Sequence, residues 1–315
     1  MKKSFWPAAS IFSVFLISAA LALSGCSKND SSSVNPDDQQ QKAGSGEILY
    51  EGVLDGIHKF DFSTRKDVRL MDGTYPTWMP DGRILFVSGY GDIMIASADA
   101  SKQDKFFTSS LMLLTPQASK DMKYIAFSNI NMGAPGTLVG TFVYKIDGTK
   151  LAEFRGMFHP SWTPDGRLVM SGSYNSTFKP QTPFSEGIFI TDKELTTTTR
   201  IDQGLHEPLM PSVSPDGKHV AFVLNGHIWK LNIDGGAGLH QITKGDSDEK
   251  YPSWSPDGKY IAFNGFVSGS LIGIVSSDET TEVNSEAKCW IYSYENEGLN
   301  SQSQISWYND LVTTQ

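Results

Sequence analysis

The sequence predicts an all-β fold, a six-bladed β-propeller in which the N- and C-terminal strands share the closing blade. Three observations carry this. First, one phrase recurs five times: Pro76-Thr77-Trp78-Met79-Pro80-Asp81-Gly82, Pro116-Gln117-Ala118-Ser119-Lys120-Asp121, Pro160-Ser161-Trp162-Thr163-Pro164-Asp165-Gly166, Pro211-Ser212-Val213-Ser214-Pro215-Asp216-Gly217 and Pro252-Ser253-Trp254-Ser255-Pro256-Asp257-Gly258. Second, each copy precedes a short apolar run, of which Ile125-Ala126-Phe127 and Ile261-Ala262-Phe263 are typical. Third, the anchors Asp81, Asp121, Asp165, Asp216 and Asp257 recur with a period in the forties. Short strands with turn punctuation at that period mark a propeller blade.

The phrase reads as the innermost strand of a blade and its turn into the next. Proline opens the strand, where its missing N–H removes no ladder bond. Trp78, Trp162 and Trp254, with Ala118 and Val213 in the poorer copies, point into the packing between adjacent blades. Pro-Asp-Gly then makes the hairpin: Pro presets φ, Asp bonds back to its own backbone and Gly takes a positive φ. On this reading the aspartates are structural, and a ring of catalytic or metal-binding carboxylates is not needed to explain them.

The third strands give an independent blade count. They read Gly56–Phe60, Asp92–Ile95, Thr141–Tyr144, Gly187–Ile190, His227–Lys230 and Cys289–Tyr292, six against five copies of the opening phrase. Ser306-Trp307-Tyr308-Asn309-Asp310 keeps the Trp-to-Asp step of Trp254 to Asp257, while Ile48-Leu49-Tyr50 is a second strand with no opener before it. The C-terminus is therefore expected to donate the inner strand of the blade that the N-terminus begins, which hides the terminal sheet edges.

The 315 residues divide into a targeting segment at 1–25, a tether at 26–46 and the propeller at 47–315. Lys2 and Lys3 precede an apolar stretch from about Ile11 to Leu23, the pattern of a secretory signal peptide. Leu23-Ser24-Gly25-Cys26 resembles the bacterial lipobox, which implies cleavage before Cys26 and its lipidation. Ser27, where Asp is absent, resembles the pattern sorted to the outer membrane, with the side it faces left open. Ser27 to Ser45 has the polar composition of a flexible tether, spanning about 25 Å on average. Acylation of Cys26 leaves Cys289 without an intramolecular disulfide partner. The formal charge of −9 becomes −11 once Lys2 and Lys3 are removed, a poor balance for nucleic acid.

The Pro-x-Trp-Ser-Pro-Asp-Gly-x-x-Ile-Ala-Phe phrase, most complete at Pro252 to Phe263, resembles the TolB-type propeller repeat. That resemblance implies a propeller whose channel receives an envelope protein. Related repeats gate prolyl-oligopeptidase-type peptidases, but no Gly-x-Ser-x-Gly elbow occurs here. Others surround a His-held metal in sugar-acid lyases.

Propeller topology puts the Pro-Asp-Gly turns on one face and the loops that enter the inner strands on the other. On this second face Leu224-Asn225-Gly226 is minimal, whereas Asn129 to Gly140, Ser171 to Glu186 and Asn264 to Lys288 exceed a hairpin's needs. Such loops are functional or disordered. The stretch Ser276 to Glu286 is acidic as well, and solvated disorder is one reading of it. Tyr174, Phe178 and Phe184 give the loop after Ser171 a composition suited to recognition. Residues just before each inner strand should ring the channel mouth: Tyr75, Thr115, His159, Met210, Tyr251 and Gln304. Aromatic and imidazole groups there could stack on a sugar or grip a peptide, or they could simply pack the blades.

No cofactor and no metal is expected. His159, His206 and Glu207 are the residues from which a transition-metal site would have to be built, and a site needs three or four ligands at about 2 Å. Two functions follow from this. One is a binding or scaffold module for an envelope protein, peptide or glycan, anchored to the membrane by lipid and without a catalytic residue. The other is a carbohydrate- or lactone-active lyase or hydrolase with chemistry in the central funnel. Fold alone does not choose between them.

Overall fold

The computed structural model describes residues 45–52, 56–130, 139–172, 186–235, 237–266, 270–283, 290–293 and 304–308. These hold six four-stranded antiparallel sheets, the six expected blades, and no helix. Cys26, Tyr174, Phe178, Phe184 and Cys289 lie outside the described residues.

Closure is as the sequence predicts. Ser306–Tyr308 forms the inner strand of blade 1, pairing antiparallel with Glu47–Gly52 so that Trp307 faces Ile48 and Ser306 faces Leu49. Trp307 donates its indole N–H to Ser45 O at 2.8 Å and stacks on Phe62 at 5.2 Å. Gly56–Asp61 and Lys66–Met71 complete that blade. Blades 2 to 6 begin with the inner strands Thr74–Trp78, Met112–Ala118, Met157–Trp162, Leu209–Val213 and Asp248–Trp254. Each pairs with the apolar run that follows its turn.

Those apolar runs are the core. Phe86, Phe127, Phe222 and Phe263 are among the largest fully buried side chains, one from the second strand of each of four blades. At about 25 cal/mol per Å² of apolar surface, each buried Phe contributes about 2–3 kcal/mol. The tryptophans sit at blade seams as expected: Trp254 of blade 6 packs with Ala221, Val223 and Ile228 of blade 5, and its Nε1–H donates to Ser212 O at 2.9 Å. Trp162 does the same toward Gln117 O at 3.2 Å.

The turn aspartates behave as structural groups. Ser119, Thr163, Ser214 and Ser255 donate their hydroxyls to Asp121, Asp165, Asp216 and Asp257, each two residues on. In three of these turns the same hydroxyl accepts the N–H five residues further along, from Tyr124, His219 and Tyr260. Pro and Gly of successive turns also touch: a Cβ on Gly217 would meet Pro164 Cδ at 2.8 Å.

Two sequence expectations need correction. Proline does not open the inner strand; Pro76, Pro116, Pro160, Pro211 and Pro252 lie within it, where the register shifts by a bulge. A bulge leaves a residue without a ladder partner, so the missing N–H is harmless there too. In blade 6 the third strand is Ser270–Ser276, and Trp290–Ser293 is the outer strand. Both segments are competent β-formers, and Gly273 supplies the space beside the second strand, since a Cβ there would meet the Phe263 ring at 2.4 Å.

The long insertion of blade 6 therefore joins the third and outer strands, not the second and third. It leaves from the turn face, where Ser277 donates N–H to Lys259 O and Oγ–H to Gly258 O, both at 2.9 Å. Thr281–Val283 then pairs parallel with Thr243–Gly245, and Asp278 bridges to Lys230 of blade 5 at 2.8 Å. Up to Val283 the acidic stretch is an ordered strap across the seam of blades 5 and 6.

Candidate functional site at the channel rim

The bulges position the rim. In each of the five blades with the phrase, the residue before proline has left-handed backbone: Tyr75 (φ 50°), Thr115 (47°), His159 (55°), Met210 (54°) and Tyr251 (52°). That region costs a non-glycine residue about 1–2 kcal/mol. It is held by neighbours, since Ser128 Oγ accepts the His159 N–H at 3.1 Å and Glu51 Oε2 that of Tyr75 at 3.4 Å. The twist turns the side chain out of the strand's alternation toward the axis. Thr115, His159, Met210, Tyr251 and Gln304 all line a central cavity of about 350 Å³. Tyr75 does not line it.

Ser or Thr one residue past proline in blades 2, 4 and 6, and Ser306 at the matching position of blade 1, knit the inner strands together. Ser306 Oγ accepts the Trp78 N–H at 3.0 Å, Ser161 Oγ that of Val213 at 3.0 Å and Ser253 Oγ that of Trp307 at 3.2 Å, while Thr77 donates to Pro116 O at 2.8 Å. Sequence reasoning missed these clamps, although the Ser or Thr after Pro in four of the five copies was their signal.

Electrostatically the rim is neutral. Burial depresses the His159 imidazole to about 4, so at neutral pH it is an uncharged donor–acceptor with Nδ1 3.1 Å from Ser171 Oγ. Its ring meets Tyr251 edge-on at 6.1 Å. Burial, then the Glu51 charge, raises Tyr75 to about 12, and burial together with Tyr75 and Glu51 raises Tyr251 well above 10. Among the described residues, those lining the cavity include no Asp or Glu, and Lys120, in a turn at the opposite mouth, is the lone Lys or Arg.

Three lining residues carry a buried polar atom with no hydrogen-bond partner in the protein: Gln304 Oε1, Trp78 Nε1 and Thr115 Oγ1, on blades 1, 2 and 3. Thr115 is only 3% exposed. A buried polar group without a partner costs about 1–3 kcal/mol and is satisfied when a ligand supplies one. Blades 4, 5 and 6 face them with His159, Met210 and Tyr251.

The metal candidates separate. His206 and Glu207 come together with Glu186, ligand atoms within 4.8 Å of one another, and His159 is not part of that group. His58 and His227 each pair with a carboxylate, Asp67 at 3.2 Å and Glu249 at 2.9 Å.

Residues 81–286 match the profile of the TolB beta propeller domain. This chain belongs to that family. Among solved structures, the TolB-like propeller is similar to TolB from Acinetobacter baumannii (17% identity, TM-score 0.65, covering 83% of this chain and 66% of that one). It is also similar to a TolB-type protein from Agrobacterium tumefaciens (19%, 0.58, 75% and 86%). Oligogalacturonate lyase in complex with manganese is a more distant likeness (12%, 0.51, 73% and 70%). At these identities the shared feature is the fold. No curated protein matches the chain.

Proposed function

We propose that this TolB-like propeller is a lipid-anchored binding module of the bacterial cell envelope. On this reading its loop-rich face and channel rim receive an envelope protein, peptide or glycan. The observation that carries it is the rim itself: four left-handed residues that line the cavity, no Asp or Glu among the described lining residues, and unsatisfied polar atoms on Gln304 and Thr115. Such a wall fits uncharged hydrogen-bonding groups, and the aromatic wall opposite fits their apolar side. The same neutrality weighs against a carbohydrate hydrolase, which needs paired carboxylates flanking the scissile bond. Anchoring through Cys26 and outer-membrane placement rest on the lipobox-like Leu23-Ser24-Gly25-Cys26.

A photo-crosslinking residue at Met210 tests the site in cells. The expected product is one discrete adduct with an envelope component, lost when Thr115 and Tyr251 are replaced together by Val and Phe. Adducts that arise equally from a crosslinker at Lys120, on the turn face, would remove the rim from the proposal. Metabolic labelling with palmitate should mark the wild-type chain and not Cys26→Ala, which should leave the membrane fraction.

A further inference from the structure

Away from the channel, at the seam of blades 4 and 5 on the loop-rich face, the head of one third strand meets the lead-in to the next inner strand. Glu186 precedes the strand Gly187–Thr191, and His206 and Glu207 precede Leu209–Val213. His206 Nε2 lies 3.5 Å from Glu186 Oε2, and the ligand atoms of all three residues fall within 4.8 Å of one another. Ligands at about 2.1 Å from a tetrahedral ion stand about 3.4 Å apart. One pair already has that spacing, and a carboxylate oxygen of the exposed Glu207 lies within 4.8 Å of both.

Two independent features make this more than an acidic corner. The first is charge balance. Among the described residues no Lys or Arg lies within ion-pair distance of either carboxylate, and His206 is their one basic neighbour. Two carboxylate oxygens and an imidazole nitrogen within 4.8 Å of one another offer a cation three donors of suitable charge. The second is rigidity. Both carrier segments are tied to one fully buried carboxylate, Asp202: its Oδ2 accepts the Ile188 N–H at 2.6 Å, and its Oδ1 accepts those of Gly204 and Leu205 at 2.9 and 2.8 Å. Arg200 pairs with Asp202 at 2.8 Å and donates to Leu205 O at 3.0 Å. Gly187 permits this approach, since a Cβ there would lie 2.6 Å from Asp202 Oδ2. Ligands carried on segments so fixed lose little freedom on binding an ion.

We propose that Glu186, His206 and Glu207 bind one divalent transition metal. One imidazole and two carboxylates suit zinc or manganese, and three protein ligands leave a coordination position for water or for a donor from a bound partner. The ion cross-links blades 4 and 5 at the loop-rich face. This inference does not depend on the channel binding any ligand, and it departs from the sequence expectation of no metal.

The test is calorimetric titration of the full chain, stripped with chelator, using zinc chloride. One ion per chain with a Kd in the micromolar range or tighter is expected. His206→Ala and Glu186→Gln should each weaken binding at least tenfold, while His159→Ala leaves it unchanged. Cobalt in place of zinc should give visible absorption bands that His206→Ala abolishes. Equal zinc affinity in His206→Ala, or no binding at millimolar zinc, overturns the site. Glu207→Gln provides the same reading should Glu186→Gln fail to fold.

Discussion

At the turn end of the blade 6 inner strand, Ser255 is 3% exposed, and its hydroxyl serves both as donor, to Asp257, and as acceptor, from the Tyr260 N–H. At the other end of the same strand Tyr251 takes left-handed backbone and presents its ring to an open cavity. Blade 3 repeats the contrast: Ser119 is bonded on both sides, whereas Thr115, equally buried, has a hydroxyl with no partner in the protein. In these two strands the turn end spends its hydroxyl on the fold, while the rim end carries left-handed backbone and, in blade 3, an unmet hydrogen bond. Strain and orphan groups concentrated at one end mark the end that meets a ligand.

The largest test of this contrast is at the turn face. Gly217→Ala places a Cβ 2.8 Å from Pro164 Cδ at φ 72° and should cost about 2–3 kcal/mol in urea unfolding. Gly166→Ala has φ 89° but nothing within 4 Å, so it should cost only the backbone term, about 1 kcal/mol. Equal losses would show that the contact between successive turns carries no weight.

Ser255→Ala should lose about 1 kcal/mol, because it orphans the Tyr260 N–H and removes a donor to Asp257. His159→Ala at the rim should keep the cooperative transition with a smaller loss. A larger loss at His159 than at Ser255 would make the rim residue a core residue and reverse the comparison.

The two ends also titrate in different windows. Asp121, Asp165, Asp216 and Asp257 are each held below the carboxylate range: burial opposes this, but bonds from Ser, Thr, Lys or Arg neighbours and backbone N–H groups outweigh it. Their stabilisation is complete above the unfolded value near 4 and disappears as pH falls through the lower folded values. His159 has a folded value of about 4 against about 6.5 unfolded, so its unfolded form binds the extra proton between them and stability falls as pH drops across that interval. Stability measured against pH should lose its slope between about 6.5 and 4 in His159→Ala and keep its slope below 4.

The smallest effect has the opposite sign. Thr115→Val keeps the shape and removes an unpaired buried hydroxyl, so it should be neutral or stabilising by up to about 1 kcal/mol while weakening capture at the rim. Ser119→Ala, its counterpart at the turn end, should destabilise.

Much of the architecture was legible because its causes are local. Pro-Asp-Gly fixes a turn whatever surrounds it, and the Trp-to-Asp step located the closing strand at Trp307 although no proline precedes it. The third strand of blade 6 was not legible. Cys289-Trp290-Ile291-Tyr292 and Leu271-Ile272-Gly273-Ile274-Val275 are both plausible strands, and the choice depended on Gly273 making room for the Phe263 ring across the sheet. The sequence places Tyr75, Thr115, His159, Met210 and Tyr251 before each proline, but neither which of them reach the cavity, since Tyr75 does not, nor their left-handed backbone was legible, since proline disfavours helical backbone before it. Glu186 was missed because it lies about 20 positions from His206 in sequence and meets it only through Asp202.

By itself, then, the chain determined its repeat, its turns, the count of blades and the way head and tail join, because each follows from the backbone preferences of a few adjacent residues. Only the tertiary structure decided which side chains look down the channel, which polar atoms there go unmatched, and which acids gather around His206. Those depend on bulge geometry and on contacts between blades, to which residues far apart in the chain contribute.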